Sequence, residues 1–286
     1  MNVAFFGLGT MGAGMANRLA GAGFRLTVWN RDPSKTAPFK TAGIDVAASP
    51  QEASAHADVA VSMVADDAAS RSVWLGESGA LARLRPGAVI IESSTISPKW
   101  VDELGQAAAA RGCSVLDAPV TGSKVQAANG ELRFLVGGDT AALERARPIL
   151  SAMGKETVHL GPLGSGARLK LINNFMCGVQ AVSVAEALAM IERSGIDPDA
   201  SIKVLTNGAP TSPMVTAAFK RMAARDYAVN FKLGLMRKDM SYAIDEAERF
   251  GVPLETARTA REAFDKAIPE WNDADFAAVV ETLRKR

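Results

Sequence analysis

Lys170 stands at the mouth of an uncharged stretch, Leu171 to Ala185, and Asn174 follows it by four residues. On a helix those two side chains share a face. An ammonium at the end of an apolar helix is costly to bury unless something pairs with it or uses it. The chemistry open to it is that of a general acid. It can protonate a carbonyl oxygen and stabilise the negative charge that develops there, which is the help an aldehyde needs to accept a hydride. The alternative is a lysine whose stem lies on the helix while its charge snorkels into water.

A hydride needs a donor, and the front of the chain supplies a place for one. Gly7-Leu8-Gly9-Thr10-Met11-Gly12 follows a short apolar run, Asn2–Phe6, and opens a stretch with helical character, Met11–Ala22. This is the setting of a dinucleotide fingerprint. Gly7 permits the tight turn, Gly9 lets the backbone approach a pyrophosphate, and Gly12 allows close packing of helix on sheet. The helix N-terminus then offers free N–H groups to phosphate. NAD sites place an Asp or Glu at the tip of the second strand. Here that strand ends Val28-Trp29-Asn30-Arg31 with no carboxylate. Arg31 is poised for a 2′-phosphate with Asn30 as a neutral hydrogen-bonding partner, so NADP (as NADPH) is the expected cofactor. Asp32 before Pro33 is explained as a helix cap.

Three further segments carry groups suited to a nicotinamide site. Glu92-Ser93-Ser94-Thr95 ends a strand, at the sheet edge where open α/β folds bind ligands. Asp117-Ala118-Pro119-Val120-Thr121-Gly122-Ser123 follows another strand and offers N–H groups and hydroxyls to a carboxylate. Arg237-Lys238-Asp239 lies in the helical half. Each has a plainer reading. Thr95 caps the helix near Pro98; Ser123 caps a short helix through Ala128; Asn174 is a buried polar residue satisfied among helices; Phe231 is core; Asp239 pairs with Arg237 or Lys238.

The elements that must position these residues alternate at first. Strand character recurs at Asn2–Phe6, Arg25–Trp29, Asp45–Ala47, Val59–Val64, Ala88–Glu92, Cys113–Asp117, Leu132–Val136 and Thr157–Leu160, with helices between. That pattern implies a mostly parallel sheet with crossover helices. After Gly161 the strand signal stops. Ala167–Arg193 reads as one long helix, apolar on nearly all sides through its middle and so expected to be buried all round. Helices over Asp197–Leu205, Pro213–Ala224, Leu233–Phe250, Leu254–Ile268 and Ala274–Arg286 follow. The expected domains are 1–162 and 163–286.

Bulk properties exclude several classes. The 286 residues are 48% hydrophobic and 22% charged, a globular composition with a formal net charge of +1. Nothing in that balance points to nucleic acid or to an anionic membrane. Arg284-Lys285-Arg286 reads as a solvated tail. Two cysteines, Cys113 and Cys177, make no disulfide framework, and two histidines, His56 and His159, offer neither a metal site nor a Ser-His-Asp triad. No basic region precedes the apolar start, and the uncharged run is too short to span a bilayer. A soluble protein of a reducing compartment, the cytoplasm, is expected.

Taken in order and spacing, Gly7–Gly12, Ser93-Ser94-Thr95, Asp117–Ser123, Gly164–Asn174 and Lys238-Asp239 resemble the β-hydroxyacid dehydrogenase family nearly end to end. Among its branches the chain is most similar to the glyoxylate/succinic semialdehyde reductases. The resemblance implies an α/β Rossmann-type N-terminal domain and an all-α C-terminal domain joined by a long helix, the latter forming one wall of the substrate site and the oligomer contacts. It implies Lys170 as the catalytic lysine with Asn174 beside it. It implies Thr121, Gly122 and Ser123 on the substrate carboxylate, with Phe231 and Asp239 lining the site. Thr95 lies by the nicotinamide ribose and Lys238 reaches the cofactor. Thr121 and Ser123 depart from the usual Ser and Gly of the motif, and Lys232–Arg237 is atypical. The implied activity is NADPH-dependent reduction of a small oxo acid in a homodimer or homotetramer, without metal. Oxidation of 3-hydroxyisobutyrate or a related 3-hydroxy acid is the alternative, and a non-catalytic dinucleotide-binding module a further one. Presence of Lys170 argues against that module and against imine-reducing relatives. The 6-phosphogluconate dehydrogenases need a His on the lysine helix that is lacking here.

Overall fold

The structure, a computed structural model, describes residues 1–284. The first part runs β1 (Asn2–Phe6), α1 (Gly12–Gly21), β2 (Arg25–Trp29), α2 (Ala37–Thr41), β3 (Asp45–Val46), α3 (Pro50–Ser54), β4 (Val59–Ser62) and α4 (Asp67–Leu75). It continues with β5 (Val89–Glu92), α5 (Pro98–Ala109), β6 (Ser114–Asp117), β7 (Val120–Thr121), α6 (Lys124–Asn129), β8 (Leu132–Gly138), α7 (Thr140–Met153) and β9 (Gly154–Gly161). The strands form one sheet in the order β3-β2-β1-β4-β5-β6-β8-β7, with β9 beside β8. From β3 to β6 all pairs are parallel. β8 runs antiparallel to β6 and β7 but parallel to β9. The order 3-2-1-4-5-6 is that of a dinucleotide-binding sheet, with its ligand crevice at the carboxyl ends on either side of β1.

Continuous apolar strands suit a sheet covered on both faces. β4 and β5 are buried at every position. Alternation then sends neighbours to opposite layers. Phe5, Val61 and Ile91 pack with Met15 and Leu19 of α1 and Ile149 and Leu150 of α7. Phe6, Ala60 and Ile90 pack with Trp74 of α4 and Trp100 and Leu104 of α5. β7 was not foreseen. Two residues after a proline give no period to read, and it exists because Val120 and Thr121 pair with Phe134 and Arg133 of β8.

The second part is helical: α8 (Ser165–Ser194), α9 (Pro198–Asn207), α10 (Pro213–Ala223), α11 (Leu233–Arg249), α12 (Glu255–Trp271) and α13 (Glu281–Arg284), the last preceded by a 3₁₀ turn over Phe276–Val280. Its core joins Ala181, Val184, Leu188 and Ile191 of α8 to Phe219, Met222, Met240, Ile244 and Phe264. Gly178 lets α11 come close, since a Cβ there would stand 2.5 Å from the Met240 sulfur. The chain divides into compact units between Lys170 and Leu171, within α8 rather than ahead of it. The first turns of the helix belong with the sheet because Ala167 is part of the sheet-side core and a Cβ at Gly166 would fall 2.2 Å from the Leu135 carbonyl.

Two expectations are corrected. α8 is not buried all round: Leu169, Ile172, Met176 and Met190 are 37%, 47%, 52% and 74% exposed. Its apolar circumference exceeds what the neighbouring helices of one chain cover. Arg284 is not a solvated tail either. It is paired with Glu192 and Glu281 and donates to the Met222 carbonyl (3.1 Å). Lys285 and Arg286, the rest of that expected tail, lie outside the described residues.

Candidate active site

The glycine turn has the geometry its spacing implies. Gly7 adopts φ +93°, and a Cβ there would fall 2.2 Å from the Met63 carbonyl oxygen. A Cβ on Gly12 would fall 1.9 Å from the Gly7 carbonyl oxygen. Gly9 differs: a Cβ would meet nothing within 4 Å, so the bare backbone faces open space where a pyrophosphate needs it. α1 has Met11 at its N-cap and no side-chain cap, whereas α3, α4, α5, α6 and α7 are capped by Ser49, Asp66, Ser97, Ser123 and Asp139. The amides of its first turn therefore suit an external anion. Leu8 lies buried in the turn, Met11 is half-buried and Thr10 is exposed.

At the tip of β2 the two expected residues separate in role. Arg31 is exposed. Asn30 turns inward: its Oδ1 accepts from the Leu8 N–H (2.7 Å) and its Nδ2 donates to the Asp32 carbonyl (2.9 Å). Both ends of the amide are occupied, so Asn30 braces the glycine turn rather than reaching outward. Asp32 is taken up by Ser34, accepting from its N–H (3.0 Å) and its hydroxyl (2.7 Å), and these bonds hold its carboxyl below the usual range. Both bonds fall on Oδ1, which ties Asp32 back to the turn it caps.

The turn after β5 carries Thr95, half-buried at the carboxyl edge. Thr95 does not cap α5; Ser97 does, accepting from the Trp100 N–H (3.1 Å). The hydroxyls of Ser62 and Ser93 at this edge are buried without a hydrogen-bonding partner. Open backbone at Gly9, an uncapped α1 and these hydroxyls together fit a dinucleotide at this edge.

The segment expected to hold a carboxylate is built differently from its sequence reading. Thr121 ends β7 and Gly122 adopts φ +122°. Ser123 forms a capping box for α6. Its N–H donates to Gln126 Oε1 (2.9 Å), its hydroxyl donates to the same oxygen (2.6 Å), and Val125 N–H approaches the hydroxyl at 3.4 Å. The plainer reading of Ser123 thus describes its bonds, and a substrate carboxylate would have to share its hydroxyl with the cap.

Asp117 was read only as the start of that segment, and the structure gives it a function of its own. It is fully buried, and its Oδ1 and Oδ2 accept from Gly164 N–H (2.8 Å) and Ala167 N–H (2.7 Å). It clamps the first turn of α8, one turn ahead of Lys170. Burial pushes its carboxyl up to about 6 against the two N–H donors. Lys170 is half-buried on α8.

In the helical unit, Asn174 and Asp239 are both buried, and Asn174 Nδ2 donates to Asp239 Oδ2 (2.6 Å). Asn173 Nδ2 donates in turn to Asn174 Oδ1 (2.9 Å). Lys238 Nζ lies 3.0 Å from Asp239 Oδ1 and 5.1 Å from the centre of the Tyr242 ring. Of the two basic neighbours foreseen for Asp239, Lys238 is the partner; Arg237 pairs with Asp265 (2.7 Å). Phe231 packs edge-on against Phe276 (6.2 Å between centroids), and its N–H and that of Asn230 donate to buried Asp275 (3.1 and 2.9 Å). Asp275 gave no signal in the sequence because its partners, Asn230 and Phe231, lie more than forty residues away.

Residues 2–161 match the NAD-binding domain of 6-phosphogluconate dehydrogenase, and residues 164–283 match the NAD-binding domain of NADP-dependent 3-hydroxyisobutyrate dehydrogenase. Glyoxylate/succinic semialdehyde reductase 1 of Arabidopsis thaliana is 34% identical over 99% of both chains. The NAD-dependent L-serine dehydrogenase of Pseudomonas aeruginosa is 36% identical over 86% of this chain and 85% of its own. The structure of Mycobacterium tuberculosis 3-hydroxyisobutyrate dehydrogenase with L-serine superposes with a TM-score of 0.90 at 33% identity, covering 99% of each chain. The chain belongs to the β-hydroxyacid dehydrogenase family, as an NAD(P)-dependent oxidoreductase acting on hydroxy acids and aldehydes.

Proposed function

We propose that this protein is an NADPH-dependent reductase of small oxo acids, glyoxylate or succinic semialdehyde. The observation that carries the cofactor choice is the tip of β2, where Arg31 is exposed and Asp32 turns its Oδ1 back onto Ser34 as a cap. A guanidinium there favours a 2′-phosphate, and the strand tip itself, Asn30-Arg31, places no carboxylate for a plain ribose. Gly7–Gly12 hold the pyrophosphate, with Thr95 and Lys238 as further cofactor contacts. The substrate choice rests on similarity to the Arabidopsis reductase and on Gly122-Ser123-Lys124 and Phe231, which resemble the glyoxylate/succinic semialdehyde branch of the family. Nicotinamide, when bound, supplies the hydride.

The chain's own residues do the rest. Lys170, as an ammonium, donates a proton to the carbonyl oxygen and stabilises its developing charge. In the reverse direction the neutral amine takes the proton back. Thr121, Gly122 and Ser123 hold the substrate carboxylate. Asn174, with its amide bonded to Asp239 and Asn173, keeps the lysine-bearing face of α8 in register. Oxidation of a 3-hydroxy acid is the second reading, favoured by the superposition on the mycobacterial enzyme. The apolar side chains exposed on α8 support assembly as a homodimer or homotetramer, and the reduced cysteines suit the cytoplasm.

Initial rates with NADPH and NADH against glyoxylate, succinic semialdehyde and 3-hydroxyisobutyrate test this. NADPH with an aldehyde acid is expected to win. Arg31→Ala is expected to weaken NADPH about 10- to 100-fold, by loss of charge-assisted bonds, while NADH is little changed. Equal or better rates with NADH in the unaltered protein would overturn the cofactor assignment.

A further inference from the structure

A second buried carboxylate lies at the cofactor edge of the sheet. Glu92 ends β5 and is fully buried. Its Oε2 accepts from the Ser70 hydroxyl (2.6 Å) and Trp74 Nε1 (2.8 Å), and its Oε1 accepts from the Ser94 N–H (2.9 Å). Trp100 Nε1 donates to the Ser70 hydroxyl (2.8 Å), so one indole and one hydroxyl of α4 bond the carboxylate directly and the α5 indole backs that hydroxyl. For packing alone an apolar residue would serve as well, because a buried charge carries a desolvation cost that its bonds only offset. What the carboxylate adds is a fixed position for the backbone it bonds.

That backbone is the turn leading to Thr95. Ser94 reaches the other way, its hydroxyl accepting from the Val64 N–H (2.8 Å) in the turn after β4. Val64 in turn walls the glycine turn, its Cγ1 only 2.9 Å from where a Gly7 Cβ would be. On the far side, Asp67 accepts from the Ser97 N–H (2.8 Å) and hydroxyl (2.5 Å). Thr95 therefore sits between two anchored residues, one held by Glu92 and one by Asp67.

We infer that Glu92 is a positioning residue for the dinucleotide: its carboxylate, through the Ser94 N–H, sets the turn that presents Ser93 and Thr95 to the cofactor and ties that turn to the glycine loop. This rests on the reading that Thr95 lies beside the cofactor. Glutamine cannot replace it, because an amide has one acceptor oxygen and its NH2 would face either Ser94 N–H or Trp74 Nε1–H. Ser70 is the control: its loss costs the Trp100 indole a partner and loosens the same network, yet leaves the bond from Ser94 N–H to Glu92 in place.

The test compares Glu92→Gln, Glu92→Asp, Ser70→Ala and Thr95→Val by equilibrium NADPH titration, steady-state kinetics and thermal melting. Both Glu92 variants are expected to raise the NADPH Kd and KM about tenfold, with kcat at saturation reduced far less. Ser70→Ala is expected to lower the melting temperature comparably while keeping cofactor KM within about twofold. Unchanged cofactor KM in a folded Glu92 variant, an equal rise in Ser70→Ala, or failure of both Glu92 variants to fold while Ser70→Ala does would each overturn the inference in favour of a purely structural network. If Thr95→Val leaves NADPH binding untouched, the placement of Thr95 fails instead; weakened binding there with unchanged Glu92 variants condemns the Glu92 inference alone.

Discussion

Lys170→Ala is expected to fold, to bind NADPH as tightly as the unaltered chain and to lose about 10²–10⁴-fold in kcat. The size of the effect follows from two tasks falling on one group. As hydride reaches the carbonyl carbon, the oxygen must gain a proton and its charge must be met by a donor, and the ammonium is assigned both. Alanine is a good helix former, so α8 survives the change. A drop in kcat with cofactor Kd unchanged separates lost chemistry from lost binding. Lys170→Arg keeps the charge but not an acid of useful strength, and is expected to recover little. Near-native turnover in Lys170→Ala would remove the lysine from the mechanism.

The second large effect concerns the anchor of that helix. Asp117→Ala strips the acceptors from Gly164 N–H and Ala167 N–H in a fully buried place, at about 1–3 kcal/mol for each donor left unsatisfied. Asp117→Asn is milder, returning one acceptor and setting an NH2 against the other N–H. The pair also carries a pH signature. Burial raises the carboxyl from 3.8 to about 6 in the folded chain, so the folded state holds this proton more tightly than the unfolded one. For an acid raised on folding, the destabilising contribution is fully present above the folded value and is relieved as pH falls toward the unfolded value. Between about pH 7 and about pH 5 the unaltered protein should gain on the order of 1 kcal/mol relative to Asp117→Asn. Denaturant melts of both proteins at the two pH values read this difference directly. Parallel pH dependence, or a gain on the Asn side, would show that Asp117 does not titrate in that window.

Legibility in the sequence tracked the range of the interaction. β1 and β2 stand where the sequence places them because each is a short apolar run cut off by its own glycine or polar tip. The glycine turn was readable for the same reason: the φ of Gly7 and the crowding at Gly12 are local needs. Side-chain roles that depend on partners far along the chain were not. Asn30 looked outward until Leu8 was found to bond it, and Glu92 looked like a strand end until α4 brought an indole and a hydroxyl to it. Ser97, not Thr95, caps α5, a matter of two residues that only backbone geometry decides. The burial of α8 was overestimated because composition reports how apolar a helix is, not how many neighbours it has.

Hydride transfer to an oxo acid is the centre of the proposed chemistry, and isotope transfer measures it most directly. NADPH carrying deuterium at the transferable nicotinamide position is incubated with the protein and glyoxylate, and the product is examined by mass spectrometry. The expected result is glycolate with a single carbon-bound deuterium, formed in step with loss of the reduced-nicotinamide absorbance. Glycolate without the label, or no glycolate while 3-hydroxyisobutyrate is readily oxidised, would contradict it.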